Sequence, residues 1–238
     1  LDLKILAPAG NVGFGAGCNR LAAASDREWL LFLNPDAELK RFDLNLQDVP
    51  PHSIIGALVH LPDGTVQDTF GPERTLAEEA RIRLLRRPSV LAAPTDGRMP
   101  VAFVSGAAFL TRCEDMRQWR GFDAERYFMY YEDIDLCRRV RVGGGSVAID
   151  PRFVVGHVGG FSARKEHAVA LIRSYRSAAA YHERWGDRRR GFAALCAVEA
   201  TLKLALSLPR GRVGTTSRGD QSALLRHILQ TWGRRQSD

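Results

Sequence analysis

Short apolar runs alternate with small-residue and charged helical stretches along the first two thirds of the chain, the order expected of an α/β fold. Leu3–Ala7 predicts a short buried strand, and after a Pro/Gly/Asn turn a small-residue helix runs from about Gly15 to Ala24. Trp29–Leu33 (WLLFL) is apolar throughout and too short for a helix, so it predicts a strand covered on both faces and parallel to the first. The loop Asn34-Pro35-Asp36 then falls at the carboxyl end of a parallel strand, where open α/β sheets bind ligands.

Ser53–Leu61, the Pro62-Asp63-Gly64 turn and Thr65–Thr69 predict a hairpin-like excursion, Leu76–Leu85 a basic amphipathic helix, and Arg86–Pro100 a loop. Pro100–Thr111 contains two strand-like pieces broken at Ser105-Gly106, a break that suits a bulge or a close backbone approach to a ligand. A short helix over Asp115–Trp119 precedes Gly121. Glu132, Asp133 and Asp135 open a helix rich in Arg138, Arg139 and Arg141 that stops at Gly143-Gly144-Gly145, a polarity that suits the helix dipole. Val147–Ile149 and Val154–Val158 predict two more strands, the second carrying His157. Beyond Gly160 the pattern turns helical near Ala168–Trp185, Phe192–Leu208 and Gln221–Trp232, so the expected organisation is an α/β domain over 1–162 and a basic helical appendage over 163–238.

The chain of 238 residues is 45% hydrophobic and 26% charged, proportions that support a sizeable core. Cys18, Cys113, Cys137 and Cys196 stand far apart without a CxxC pair, which argues against a disulfide framework or a cysteine zinc site and suits a reducing cytosol. The chain opens on Leu1 with no signal-peptide pattern, and the most apolar helical stretch, Phe192–Leu208, is interrupted by Glu199 and Lys203, so no membrane span is expected. The net charge of +7 lies wholly in the C-terminal part: Leu1–Gly159 carries 19 basic and 21 acidic residues, Gly160–Asp238 15 and 6. Such a tail suits anionic lipid headgroups or phosphorylated substrates, or simply a solvated helical face. Nucleic-acid binding is disfavoured, because no aromatic-basic recognition motif accompanies the charge.

Four constellations can carry chemistry, and each has a plainer structural reading. Asn11-Val12-Gly13-Phe14-Gly15-Ala16-Gly17-Cys18-Asn19 is a glycine-dense turn opening onto a helix, suited to a phosphate or nucleoside but equally to a structural turn. Asp36 after a buried strand can hold a hard divalent cation that also touches a diphosphate, or can belong to an Asx turn. Glu132, Asp133 and Asp135 crowd three carboxylates into four residues, which raises at least one pKa and suits proton acceptance or cation binding. Helix capping favours the same residue types, and Phe128–Tyr131 before them supplies an aromatic wall for a sugar ring. His157 at a strand end could complete a cation site with Asp36, or be an ordinary hydrogen-bonded histidine.

Taken in order, NVGFGAGCN, LFLNPDAEL, VSGAAFLTR, GFDAERYFMYYEDIDLCRRVR and then His157 with Gly159, Gly160 and Ser162 resemble the family 2 glycosyltransferases with a GT-A fold, in particular rhamnosyltransferases and their galactofuranosyltransferase relatives. The resemblance spans Leu3–Ser162 and implies an α/β, doubly wound, mostly parallel sheet followed here by C-terminal helices. Such proteins begin with a βαβ unit that grips the base and ribose; on that layout roughly fifty residues, the first unit, are expected to be absent before Leu1.

The resemblance also implies inverting transfer from a dTDP- or UDP-sugar, with magnesium or manganese held by Asp36 and His157. Asn34-Pro35-Asp36 stands where the family has an Asp-x-Asp-like motif, so only its last residue is a carboxylate. Asp133 is the implied base and Glu132 the second acid; Asn11, Gly13, Asn19, Ser105 and Gly106 fall on the donor side, Trp119 and Tyr131 on the acceptor side. The implied activity is transfer of a sugar such as rhamnose onto a lipid-linked or polysaccharide acceptor in envelope glycan biosynthesis, by a cytoplasmic protein held peripherally on the inner face of the plasma membrane. The alternative is a truncated, non-catalytic paralogue that binds a sugar or a partner.

Overall fold

The computed structural model describes residues 5–6, 10–86, 89, 91–157, 167–186 and 189–207. The chain divides into two compact units, Leu1–Glu73 with Val90–Gly159, and Arg74–Ser89 with Gly160–Asp238. The first holds α1 (Phe14–Ala23), β1 (Trp29–Leu33), β2 (Ala37–Phe42), β3 (Ser53–His60) and β4 (Phe70–Gly71). After α2 (Leu76–Ala80), which belongs to the second unit, it continues with β5 (Met99–Pro100), β6 (Phe103–Val104), β7 (Ala108–Arg112), α3 (Cys113–Gln118), α4 (Glu132–Val142) and β8 (Ser146–His157). The second unit adds α5 (His167–Arg184) and α6 (Arg189–Ser207).

The main sheet runs β1-β7-β3-β8-β2, with β5 also paired to β8, while β4 and β6 form a separate two-stranded ladder. It is a mixed sheet: β3 and β8 are parallel, and the other ladders are antiparallel. β3 is its centre, and every residue from Ser53 to Val59 is buried. Alternation along the strand sends Ile54 and Leu58 to one face, where they meet Phe109, Phe122, Leu136 and Val140, and Ile55, Ala57 and Val59 to the other, with Leu110, Phe153 and Val155. Helix residues Ala22, Met116, Leu136 and Val140 all lie on the first face.

The two-sided burial expected of WLLFL therefore belongs to β3. Among the described residues β1 pairs only with β7, antiparallel from Trp29↔Arg112 to Leu33↔Ala108, and Leu31 and Leu33 stay exposed. Its expected parallel neighbour, Leu3–Ala7, is described only at Ile5 and Leu6, which are exposed and in no strand. The two strands expected over Val147–Val158 are one long strand as far as His157, kept continuous across a register shift opposite Ala57/Leu58. At that shift the fully buried Asp150 accepts hydrogen bonds from the N–H and guanidinium of Arg152 and from Arg98 Nε. Burial works against the charge of Asp150, but these arginine contacts hold its carboxyl below the ordinary range.

β2 has no apolar alternation and lies mostly exposed, so its pairing comes from β8 rather than from its own side chains. Leu76–Leu85 is an α-helical turn capped by Thr75 Oγ1, continued as a π-helical turn over Arg81–Leu85. In the second unit Glu199, which interrupts the apolar stretch Phe192–Leu208 in the sequence, is buried: it accepts from Tyr175 Oη (2.6 Å) and Arg83 Nη1 (3.4 Å), and Arg83 also pairs with Glu79 (2.7 Å). No described helix is long and apolar enough to cross a membrane. The helix expected at Gln221–Trp232, and Gly159, Gly160 and Ser162 of the glycine-rich segment after His157, lie outside the described residues.

Candidate active site

The motifs singled out in the sequence meet at one turn, Ser105-Gly106-Ala107, between β6 and β7. The N–H of Gly106 donates to Asp133 Oδ2 (2.8 Å), and the C=O of Ala107 accepts from Asn34 N–H (3.0 Å). The N–H of Ser105 donates to the C=O of Thr69 (2.6 Å), while Ser105 Oγ accepts from Ala107 N–H (3.2 Å). Gly106 is required by space: a Cβ there would stand 2.6 Å from the ring of Phe14. The Asn34 loop, the acid pair and the glycine-dense turn are thus fixed to three consecutive residues.

The glycine-dense turn is built for packing. Asn11 Oδ1 accepts from Gly13 N–H (3.0 Å), Gly13 has φ of 86°, and a Cβ on it would collide with the Phe128 carbonyl, which also receives the Phe14 N–H (3.3 Å). Asn19 is engaged at both ends of its amide: Nδ2 donates to the C=O of Phe122 and Oδ1 accepts from Phe122 N–H, each at 2.8 Å. Asn19 therefore clamps the Gly121–Phe122 turn ahead of the aromatic run. Trp119 packs on the core at the end of α3, and its carbonyl accepts from Arg139 Nη1 (2.5 Å). Arg139 also reaches Gly121 C=O (2.6 Å) and Asp135 (2.8 Å), and Asp135 accepts from Tyr127 Oη (3.2 Å). Of the three clustered acids, Asp135 is thus structural.

Tyr130 and Tyr131 have φ of 70° and 66°, two consecutive left-handed residues that swing the aromatic run into α4 at a cost of about 1–3 kcal/mol each. They deliver Glu132 and Asp133 into different surroundings. Glu132 is 4% exposed, and its Oε2 has no hydrogen-bond partner. Burial, and then the neighbouring Asp133 charge, push its carboxyl up to about 8. Asp133 instead accepts the N–H groups of Gly106 and Ile134, each at 2.8 Å. Adjacent carboxyls separated in this way suit a pair in which one keeps a proton and the other receives one.

Asp36 and His157 meet through strand register. Ala37 stands opposite His157 in the β2/β8 ladder, and a turn closed by Ala37 N–H to Asn34 C=O (3.0 Å) carries Asp36 just before it. Asp36 Oδ1 is 3.0 Å from His157 Nε2, and His157 Nδ1 is 2.8 Å from Gln67 Oε1. One carboxylate oxygen and one imidazole nitrogen fit a divalent cation that takes its remaining ligands from substrate oxygens and water. They do not form an all-protein cage, since no group of three or more His, Cys, Asp or Glu residues suited to a metal occurs among the described residues. Gln67 carries no motif, and nothing in the sequence around it signals its contact with His157.

No protein-family model matches the chain. It is 28% identical over 201 residues to the N-acetylglucosaminyl-diphospho-decaprenol L-rhamnosyltransferase of Mycobacterium tuberculosis, covering 74% of this chain and 65% of that protein. Against the low-salt glycan biosynthesis hexosyltransferase Agl10 of Haloferax volcanii it is 28% identical over 149 residues, 59% of this chain and 47% of that one. The chain thus spans about two thirds of the first relative's length and about half of the second's. Among solved structures, similarity in fold extends to GalNAc-T7 bound to UDP, GalNAc and Mn2+, with a TM-score of 0.51 at 13% identity over 94% of this chain and 44% of that one. The mixed sheet, the register that joins Asp36 to His157 and the ordered motifs meeting at residues 105–107 agree with these likenesses: the chain has a GT-A-type glycosyltransferase fold and is similar in sequence to the mycobacterial rhamnosyltransferase and the haloarchaeal hexosyltransferase.

Proposed function

We propose that the chain is the catalytic part of an inverting glycosyltransferase that moves a sugar from a nucleoside-diphosphate donor to a lipid-linked or polysaccharide acceptor in envelope glycan biosynthesis. The observation that carries this reading is the 105–107 turn, which holds Asp133 through Gly106 N–H and the loop of Asp36 through Ala107 C=O. Asp133 accepts the proton of the acceptor hydroxyl as its oxygen attacks the anomeric carbon opposite the departing diphosphate. The gain from fixing acid and donor loops to one turn is orientation. Asp36 and His157 would hold the divalent cation, magnesium or manganese, which when bound would neutralise charge on the diphosphate. Glu132, keeping its proton at neutral pH, limits the negative charge beside Asp133.

The name of the mycobacterial relative supports rhamnose as the sugar transferred and a polyprenyl-diphosphate-linked sugar as the acceptor, with a dTDP-sugar the donor that the sequence resemblance implies. Gly13 and its neighbours would bound the donor side, and Trp119 and Tyr131 the acceptor side, as the sequence resemblance implies. A peripheral position on the inner face of the plasma membrane is supported by the basic excess of Gly160–Asp238 and by Val198 and Leu202, exposed one turn apart on α6.

The test is calorimetry of the purified chain with manganese or magnesium and a panel of dTDP- and UDP-sugars, followed by transfer of labelled sugar to a GlcNAc-diphospho-lipid. Binding of one donor and inverted product are expected. A folded chain that binds no donor would replace this reading with a non-catalytic, partner-binding one.

A further inference from the structure

Gln67 is fixed at more than its side chain. Its N–H donates to Val59 C=O on β3 (2.8 Å), its C=O accepts from Thr69 N–H (2.8 Å), and Thr69 C=O in turn accepts from Ser105 N–H (2.6 Å). The strap from Gln67 to Thr69 therefore ties the centre of the sheet to the turn that holds Asp133. Its side chain faces the other half of the site, with Oε1 2.8 Å from His157 Nδ1. An amide oxygen only accepts, so this contact requires the proton on Nδ1; Nε2, 3.0 Å from Asp36 Oδ1, then either carries a second proton given to that carboxylate or turns its lone pair beside it, where a cation takes the place of the proton. Two electron-rich atoms at that separation repel unless a positive charge lies with them. The reverse orientation of the amide would demand a proton on Nε2, which would donate to Asp36 and close the pair to a metal.

We propose that Gln67 is a positioning residue of the cation site, selecting the Nδ1–H form of His157 so that Nε2 and Asp36 present a joint donor set, while its backbone keeps that set in register with the Asp133 turn. The proposal rests on the reading of Asp36 and His157 as the cation site. Partners of this kind, one shell out from a metal, change affinity by about 10–100-fold when removed.

The test compares the full chain with Gln67→Leu, Gln67→Glu and Asp36→Ala by two measurements: manganese affinity from electron paramagnetic resonance, and the imidazole 15N shifts of His157, assigned with His157→Phe. Amide spectra check that each variant is folded. Wild type should show the Nδ1–H form. Gln67→Leu should weaken manganese binding about 10–100-fold and shift His157 toward Nε2–H, and Gln67→Glu, which still accepts, should keep the tautomer and bind at least as tightly. An Nε2–H form in wild type, or Gln67→Leu binding within about twofold with the tautomer unchanged, overturns the proposal. If Asp36→Ala binds manganese as wild type does, the cation-site reading itself falls, whereas loss in Asp36→Ala beside an unaffected Gln67→Leu removes Gln67 alone.

Discussion

Replacing Glu132 with glutamine should change how stability depends on pH more than it changes the fold. In the folded chain the Glu132 carboxyl titrates at about 8 against an ordinary value of 4.5, because it is buried and lies next to Asp133. Between those values the folded state binds a proton that the unfolded state has released, so stability falls as pH rises through the window and levels off above it. At about 1.4 kcal/mol per unit of pKa, the full effect is roughly 5 kcal/mol, most of it gone by pH 8. Glutamine has nearly the same shape and does not titrate, and its different hydrogen-bonding adds an offset that is constant with pH. Urea unfolding of both proteins at intervals from about pH 5 to 9 should therefore give curves that diverge upward for Glu132→Gln as pH rises. Tryptophan fluorescence in a Trp185→Phe, Trp232→Phe background reports this unit through Trp29 and Trp119. Parallel curves for the two proteins, or a Glu132 carboxyl 13C signal titrating near 4.5, would refute the reasoning.

Other expectations follow from neighbouring contacts. Asp133→Asn keeps an oxygen that can accept the Gly106 N–H, so sugar transfer should be lost while donor affinity by calorimetry stays close to wild type; an equally active variant transfers the role to Glu132 or refutes it. Asn19→Ala leaves both backbone groups of Phe122 without their partner and should cost about 2–4 kcal/mol in chemical denaturation. Gly106→Ala brings a methyl against Phe14 and should destabilise by about 1–3 kcal/mol while lowering transfer through the displaced Asp133 bond, seen as a fall in kcat at unchanged fold. If α6 touches lipid, replacing Val198 and Leu202 with aspartate should abolish flotation with anionic vesicles at low salt, and unchanged flotation removes that face from the membrane contact.

Much of this arrangement is legible in the sequence where local chemistry and local structure coincide. The acid-first, base-last pattern of 132–141 gives α4 almost to the residue, because capping and dipole are local forces. The interruption at Ser105-Gly106 marks the turn between β6 and β7 for the same reason. What the sequence conceals depends on distant partners. β2 reads as polar and exposed because β8 alone makes it a strand, and WLLFL looks central although its burial is settled by which strands flank it. Asn19 resembles a ligand residue until Phe122, 103 positions away, takes both ends of its amide. Gln67 meets His157 across 90 positions, and no spacing rule reaches that far.

The 105–107 turn grips its neighbours with main-chain N–H and C=O groups that nearly every amino acid possesses. The grip on Asp133 and on the Asn34 loop is thereby uncoupled from the side chain of Ser105, whose exchange would cost only the Oγ contact to the Ala107 N–H inside the turn. A lineage could vary that half-buried position without moving Asp133, whereas Gly13 and Gly106 admit no such drift, since any added carbon would strike Phe128 or Phe14, and Ala107 is buried. Substitution at this turn is best begun at Ser105 and kept away from the glycines.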